Sequence, residues 1–305
     1  MIHVILNPTG GSGRAQKAWT RAESHLGALS RPLTVHRTTG RGSATAIARE
    51  LSSEGSEAVV VAVGGDGTVH EVTNGLLHGG QGRPAPAFAV LPVGTGNDFA
   101  RGFGFSTDPG VLVRWLAAGA TRRVDAGHLA WPGGEEWFVN IASFGFTGAA
   151  ARHADRRSKR LGVANYAHSA VAAILAHRDY DLTLSVDGGP PVRRRLGTVV
   201  LANAPWFGSG MHVAPGARPD DGLLDLLTVE GAGRIRLLGL LAGVFTGRHL
   251  RSRTVTVRPV RTVRLEWEGD LPLEAEGELV GARSPLTATV HPGALRMVTQ
   301  AASQR

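Results

Sequence analysis

The sequence predicts an N-terminal α/β domain with a doubly wound parallel sheet, followed by a C-terminal antiparallel β-sandwich domain. Three observations carry this reading. Over the first 120 or so residues, apolar β-branched runs alternate with helical patterns, the rhythm of parallel strands joined by crossover helices. Two of those runs, Val59–Val63 and Phe88–Pro92, end in glycine-rich loops at the start of a helix. From Arg122 onward short strands separated by frequent turn signals replace the alternation, as an antiparallel sandwich requires.

The elements follow in order. Ile2–Leu6 is a first strand, and Asn7-Pro8-Thr9-Gly10-Gly11-Ser12-Gly13 turns into a helix over Ala15–Leu29. Leu33–Thr38 is the second strand, and Ser43 is read as the cap of a helix running through Leu51. Val59–Val63 is a fully buried strand. It breaks at Gly64-Gly65-Asp66-Gly67-Thr68 before a helix expected over His70–Leu77. Phe88–Pro92 repeats the arrangement with the loop Val93-Gly94-Thr95-Gly96 and a helix over Asn97–Arg101. A buried strand that ends in glycines at a helix N-terminus suits phosphate: amides point outward, no Cβ blocks approach, and the helix dipole favours negative charge. Two such loops on neighbouring strands make a crevice for a polyphosphate. Neither is a Walker loop, since no Gly-Lys-Ser/Thr follows, and neither is GxGxxG. Asp108-Pro109-Gly110 opens a helix, Val111–Ala118, which Gly119 closes.

In the second half, Val124–Leu129 and Trp137–Ala142 are expected strands around a Pro-Gly-Gly turn, followed by a long helical stretch over Gly148–Arg178 rich in Arg152, Arg156, Arg157, Lys159 and Arg160. Further strands are expected at Leu182–Val186, Arg193–Asn203, Leu223–Val229, Thr254–Val257, Thr262–Trp267, Leu273–Ala275 and Leu286–Val290. Leu295–Val298 is read as a last strand returning to the first domain. The domains are thus 1–122 with 292–305, and 123–291. The very apolar Ile235–Phe245 is read as a helix packed on the core.

Composition narrows the function. The chain has 305 residues, 42% of them hydrophobic and 19% charged, ordinary for a folded chain of two domains. It contains no cysteine, which excludes disulfides and thiolate metal sites and suits a cytoplasmic setting. No signal segment is expected, since Met1 runs straight into a strand, and no apolar run reaches the ~20 residues that span a bilayer. A net charge of +8 invites an anionic partner. No nucleic acid is expected, because the basic residues are not interleaved with aromatics and form no known binding module. Peripheral contact with an anionic membrane surface is the expected form of that attraction, and a homodimer is left open.

GGDGTVHEVTNGL and LPVGTGNDFAR resemble the catalytic-domain signatures of the diacylglycerol kinase and sphingosine kinase family, above all its soluble bacterial lipid kinases. The resemblance covers essentially the whole chain. It implies ATP-dependent phosphorylation of a lipid alcohol with Mg²⁺. Gly64, Gly65, Asp66, Gly67, Thr68, Gly94 and Thr95 would hold the nucleotide's phosphates, with Asn97 beside them. Asp66 and Asp98 would hold the catalytic Mg²⁺ or its waters. The opening Asn-Pro-Thr-Gly-Gly-Ser-Gly is similar to the family's NPxSG motif and brings Asn7 to the nucleotide. Thr38 lies where a family Thr contacts it, with Gly42-Ser43 in place of the usual Gly-Asp. Asp220-Asp221-Gly222-Leu223-Leu224-Asp225 is similar to the DGLLD loop, whose structural Mg²⁺ would take Asp221, the carbonyls of Arg218 and Leu223, and Asp220 in support. Glu276-Gly277-Glu278 stands where the family has Asp-Gly-Glu. Either Glu276 or Glu278 would take the acceptor's proton. Two alternatives stay open: an NAD kinase-like enzyme, which shares the GGDG loop only, and a homologue that binds nucleotide or membrane without turnover.

Overall fold

The computed structural model describes residues 1–300 apart from 28, 30, 56, 80–84, 156–170 and 176–177. The chain forms two compact units, Met1–Val124 with Gly293–Arg305, and Asp125–Pro292.

The first unit is built on β1 (Ile2–Leu6), α1 (Arg14–Leu26), β2 (Leu33–Arg37), α2 (Ser43–Leu51), β3 (Val59–Gly64), α3 (Asp66–Gly79), β4 (Ala87–Pro92), α4 (Asp98–Phe103) and α5 (Pro109–Ala118). The strands pair in parallel in the order β4-β3-β1-β2. Every residue of β1, β3 and β4 is buried. Helices cover both faces of such a sheet, so its strands read as unbroken apolar runs. Here α2 packs on α3, and α1 packs on α5. The expected doubly wound parallel sheet is therefore present. Three local expectations differ. Helix α1 stops at Leu26, three residues early, with Gly27 as its C-cap, the amide still donating to the Glu23 carbonyl. Ser43 is not a cap but the first helical residue. Gly42 occupies the capping position in the left-handed region, and the Glu71 carboxylate accepts from the Gly42 and Ala44 amides at 2.9 and 3.1 Å. Helix α3 begins at Asp66, four residues before His70, so half of the GGDGT loop is its first turn.

The second unit contains β5 (Thr121–Trp131, starting within the first unit), β6 (Gly134–Phe138), β7 (Ile141–Gly145), α6 (Phe146–Asp155), β8 (Tyr180–Val186), β9 (Val192–Ala202), β10 (Trp206–Phe207), β11 (Met211–His212), β12 (Leu224–Glu230), α7 (Arg234–Val244), a 3₁₀ turn Arg248–Arg251, β13 (Val255–Val260), β14 (Thr262–Trp267), β15 (Leu273–Ala275), β16 (Glu278–Val280) and β17 (Leu286–Val298). Strand β9 joins the two layers of a sandwich. Its early residues pair with β8, which leads to β14 and β17, and its later residues lie between β7 and β12. Leu129, Phe144, Leu201, Leu265 and Leu286 fill the space between the layers. A second cluster, including Ile141, Val200, Leu227, Leu237 and Val244, packs beneath α7.

Corrections here are local too. Trp137–Ala142 is not one strand; it is divided at Val139–Asn140, whose amides are taken by the Glu276 carboxylate. The segments Leu286–Val290 and Leu295–Val298 form one 13-residue strand, whose end from Gly293 belongs to the first unit, where Met297 pairs in parallel with Phe88. Strands β10, β11 and β16 are two or three residues long and carry too little periodicity to be read. Of the long helix over Gly148–Arg178, α6 covers the start and residues 171–175 are helical, while Arg156, Arg157, Lys159 and Arg160 lie outside the described residues. Helix α7 is packed on the core along one side only: Leu237 and Val244 are buried, whereas Ile235 is 88% exposed.

Candidate functional site

In the first unit the strand order turns back between β1 and β3, since β1 is followed by β2 on one side while β3 and β4 extend the other. Ligands of open α/β sheets bind outside the carboxyl ends of the strands at such a switch point. The sequence delivers its glycine loops to that edge. Asn7 follows β1 and donates through Nδ2 to the Thr68 hydroxyl at 3.0 Å, while its Oδ1 accepts from Thr9. Thr38 follows β2, its amide on the Leu6 carbonyl at 2.9 Å.

The two glycine loops touch backbone to backbone. A Cβ on Gly94 would lie 2.9 Å from the Gly65 Cα and 2.8 Å from Asn97 Oδ1, and one on Gly64 would meet the Thr68 side chain at 2.4 to 2.8 Å. Glycine is needed at these two positions for space. Asp66 ties the loops together, its Oδ1 accepting from the Phe99 amide at 3.3 Å. At the start of α3 the Thr68 and Val69 amides donate to the Gly65 carbonyl at 2.9 and 3.1 Å, and the positive end of the helix dipole lies at the same edge. Asn97 stands at φ +50 before α4, and its Oδ1 is buried with no hydrogen-bond partner. Thr95 is exposed at the tip. Asp98 is turned inward, 7% exposed, and is held by Arg101 Nη1 at 2.6 Å. Gly11 and Arg14 were read only as part of the glycine-rich turn, without roles of their own. Arg14 binds the Gly11 carbonyl at 2.9 Å and approaches the Thr95 hydroxyl at 3.5 Å. Gly11, at φ +58, has no room for a side chain against the Val93 carbonyl. Their one signal was the density of glycines before a lone arginine.

In the second unit, Glu276 and Gly277 form the two-residue turn between β15 and β16. Both have positive φ, +55 and +88, as a type I′ hairpin demands. Glu276 Oε1 accepts from the Val139 and Asn140 amides, both at 2.6 Å, and its own amide donates to the Ile141 carbonyl. Glu278 opens β16, paired with Ala275. Beneath the turn the fully buried Glu274 accepts from the Gly277 amide at 2.7 Å and from the Ser143 hydroxyl. Sequence reasoning placed Glu274 in the acidic cluster Leu273–Glu278 without a role of its own; here it orders the turn.

The Asp220–Asp225 loop leads into β12 in the same unit. Asp220 and Asp221 are exposed; Asp221 Oδ1 accepts from the Leu223 amide at 3.0 Å, and Arg218 approaches Asp220 at 3.5 Å. Asp125, unsuspected from sequence, accepts from the Gly222 amide at 2.7 Å, and its amide holds the Pro219 carbonyl. Burial, then the neighbouring Asp221, push the Asp225 carboxyl above its ordinary value. Among the described residues no three His, Asp or Glu side chains converge as a metal cage. A cation in this loop would therefore take Asp221 together with carbonyl and water oxygens, which suits a hard ion.

A pocket with about 750 Å³ of empty space, open to solvent, lies beneath α7. Phe146, Val200, Leu227, Leu240 and Val244 are among its walls, which are almost wholly apolar.

Residues 1–129 match the diacylglycerol kinase catalytic domain, and residues 140–299 match the YegS C-terminal NAD kinase beta sandwich-like domain. The chain is 34% identical over 247 residues to a Chromohalobacter salexigens protein named "Probable lipid kinase YegS-like", covering 81% of this chain and 77% of that one. It is 29% identical to a Mycobacterium tuberculosis diacylglycerol kinase over 97% of this chain and 94% of the relative. The crystal structure of a Bacillus anthracis diacylglycerol kinase matches with a TM-score of 0.74 at 20% identity, over 98% and 96% of the two chains.

Proposed function

The chain belongs to the diacylglycerol kinase and YegS-like lipid kinase family, and from that premise we propose that it transfers the γ-phosphate of ATP to the hydroxyl of a lipid. The observation that carries this reading is the contact of Gly65 with Gly94, braced by Asp66, at the switch point of the first unit's sheet. A backbone surface stripped of Cβ atoms beside a helix N-terminus fits a polyphosphate. Asn7, Thr38, Gly64–Thr68, Gly94, Thr95 and Asn97 are its proposed lining. The apolar pocket beneath α7 supports a substrate with a hydrocarbon chain.

Phosphoryl transfer depends on positioning and charge neutralisation more than on covalent chemistry. The acceptor oxygen forms a bond to the γ-phosphorus as the bond to the ADP oxygen breaks. The hydroxyl proton passes to a carboxylate, Glu276 or Glu278. Mg²⁺, when bound, neutralises phosphate charge. The unpartnered Asn97 Oδ1 and the half-buried Asp66 carboxylate are oxygens of the kind its water shell binds. Asp98, committed to Arg101, holds the start of α4. Asp221, with the carbonyls of Arg218 and Leu223 and with Asp220 nearby, is the proposed structural Mg²⁺ loop. No described helix is long and apolar enough to cross a membrane.

The test is ATP consumption by the purified protein against a panel of lipid alcohols and NAD, beside Asp66→Ala. Turnover with a lipid alcohol that Asp66→Ala abolishes is the expected result. Transfer to NAD alone, or full activity in the variant, overturns the reading.

A further inference from the structure

Helix α7 has two apolar sides, and only one of them is covered. Its inner side, Leu237, Leu240, Leu241 and Val244, faces the pocket. Its outer side carries Ile235, Leu238, Ala242 and, at the C-terminal boundary, Phe245. That spacing of three, four and three residues places all four on one stripe. Ile235 is 88%, Leu238 40% and Phe245 45% exposed. Isolated surface leucines need no explanation, but an aligned apolar stripe does.

Charge surrounds the stripe. Between Glu230 and Glu266 there is no acidic residue and there are eight arginines. The other 25 basic residues balance the chain's 25 acidic ones, so the whole net charge of +8 resides in this segment. Arg234 and Arg236 flank the stripe on α7. Arg248 and Arg251 lie in the 3₁₀ turn that packs on α7, and Arg253 and Arg258 lie in or beside β13, which packs on that turn. All six are exposed, and none has an acid within ion-pair distance among the described residues. Among the described residues, strand β13 pairs with β12 alone, and it presents exposed Val257.

We propose that this face, the Ile235–Leu238–Phe245 stripe within its arginine surround, docks on the surface of an anionic lipid bilayer. The apolar side chains enter the interfacial layer while the guanidinium groups meet phosphate headgroups. The inference rests on the proposed lipid acceptor only for its purpose: the helix that walls the apolar pocket is the one applied to the membrane.

The chain lacks cysteine, so Ile235→Cys takes a single environment-sensitive fluorophore, and exposed Ser53→Cys in the first unit serves as control. With vesicles of mixed phosphatidylglycerol and phosphatidylcholine, the label at 235 should shift to the blue and that at 53 should not. Vesicle sedimentation of the full chain should weaken at least tenfold in Leu238→Glu/Phe245→Glu and in Arg234→Gln/Arg236→Gln. Salt should weaken the native chain more than the arginine variant. Absence of a shift at 235, or unchanged sedimentation of both variants, overturns the proposal. So does a dimer that Phe245→Glu converts to monomer while vesicle binding persists, since a second copy then covers the stripe. Turnover of a short-chain, water-soluble acceptor without vesicle binding defeats docking and leaves the kinase reading intact. Vesicle binding through the stripe without turnover of any acceptor does the reverse.

Discussion

Glu276 sits at a turn whose backbone favours shorter side chains. The left-handed backbone that a type I′ hairpin imposes suits Asn, Asp and Gly, and a longer side chain there carries strain of about 1 kcal/mol or more. Glu276 occupies it at φ +55 and is held by three hydrogen bonds, two into its carboxylate from Val139 and Asn140 and one from its amide to Ile141. The substitution of Glu for the family's Asp was legible in the sequence. That its carboxylate accepts from the backbone between β6 and β7 was not, because Asn140 lies 136 residues earlier in the chain. Glu276→Gln keeps size but presents an amide to two N–H donors. If Glu276 is the base, kcat should fall ~10²–10⁴-fold with ATP affinity unchanged. If its carboxylate serves the turn alone, Glu278→Gln should show that loss instead, with Glu276→Gln chiefly lowering Tm. Full activity of both variants on a lipid acceptor removes general-base catalysis by this turn. Glu276→Asp fits the backbone better and should retain activity only if the turn closes on Val139 and Asn140 across the missing methylene.

At the scale of elements, the strands and glycine loops were readable because their information is local: an apolar run, then residues that tolerate close backbone approach. Caps supplied from afar were not. Helix α2 begins without its own capping side chain because Glu71, on α3, accepts two of its first amides. Glu71→Ala should therefore destabilise the first unit by about 1–3 kcal/mol, as loss of a charged cap does. Urea titration measures this, and a change below ~0.5 kcal/mol would show that water caps α2 equally well. The Asp220–Asp225 loop was legible as an oxygen-rich turn, but its anchor was not, since Asp125 lies nearly a hundred residues earlier. Binding of Mg²⁺ to the folded loop raises stability by mass action. Titration with Mg²⁺ should raise the melting temperature of the native chain and not of Asp221→Ala, measured without nucleotide so that Asp66 contributes nothing. Equal responses would exclude a cation at this loop.

The whole molecule was legible in outline because two periodicities divide it: parallel βα units first, short antiparallel strands afterwards. The composition changes near Arg122, the compact units divide at Val124, and the end of β17 pairs with β4 in the first unit. What pattern could not reveal is the ionisation of buried groups, because burial is a property of the finished fold. Each unit encloses a histidine whose pKa is depressed mainly by burial. His3 is 4% exposed, with His36 and the N-terminus also lowering it and Glu54 partly opposing. His249 is 7% exposed, with His212 lowering it and the Val213 and Gly243 carbonyls opposing. Unfolded, both titrate near the ordinary 6.5. Their neutral forms therefore contribute stability that is complete above that pH. Below it the unfolded chain binds protons that the folded chain refuses, and stability falls as pH drops toward the depressed folded values. Each unit of depression corresponds to about 1.4 kcal/mol. Asp225, pushed up by burial, acts in the opposite sense but in the more acidic carboxylate range. Between pH 7.5 and 5.5 the Tm should fall, and calorimetry near pH 6 should detect proton uptake on unfolding. His3→Gln should flatten that slope for the first unit, and His249→Gln should lessen it for the second, where burial also lowers His212 and His291. A native Tm independent of pH across this window would mean that both histidines are charged in the folded chain, each with a partner strong enough to offset its burial.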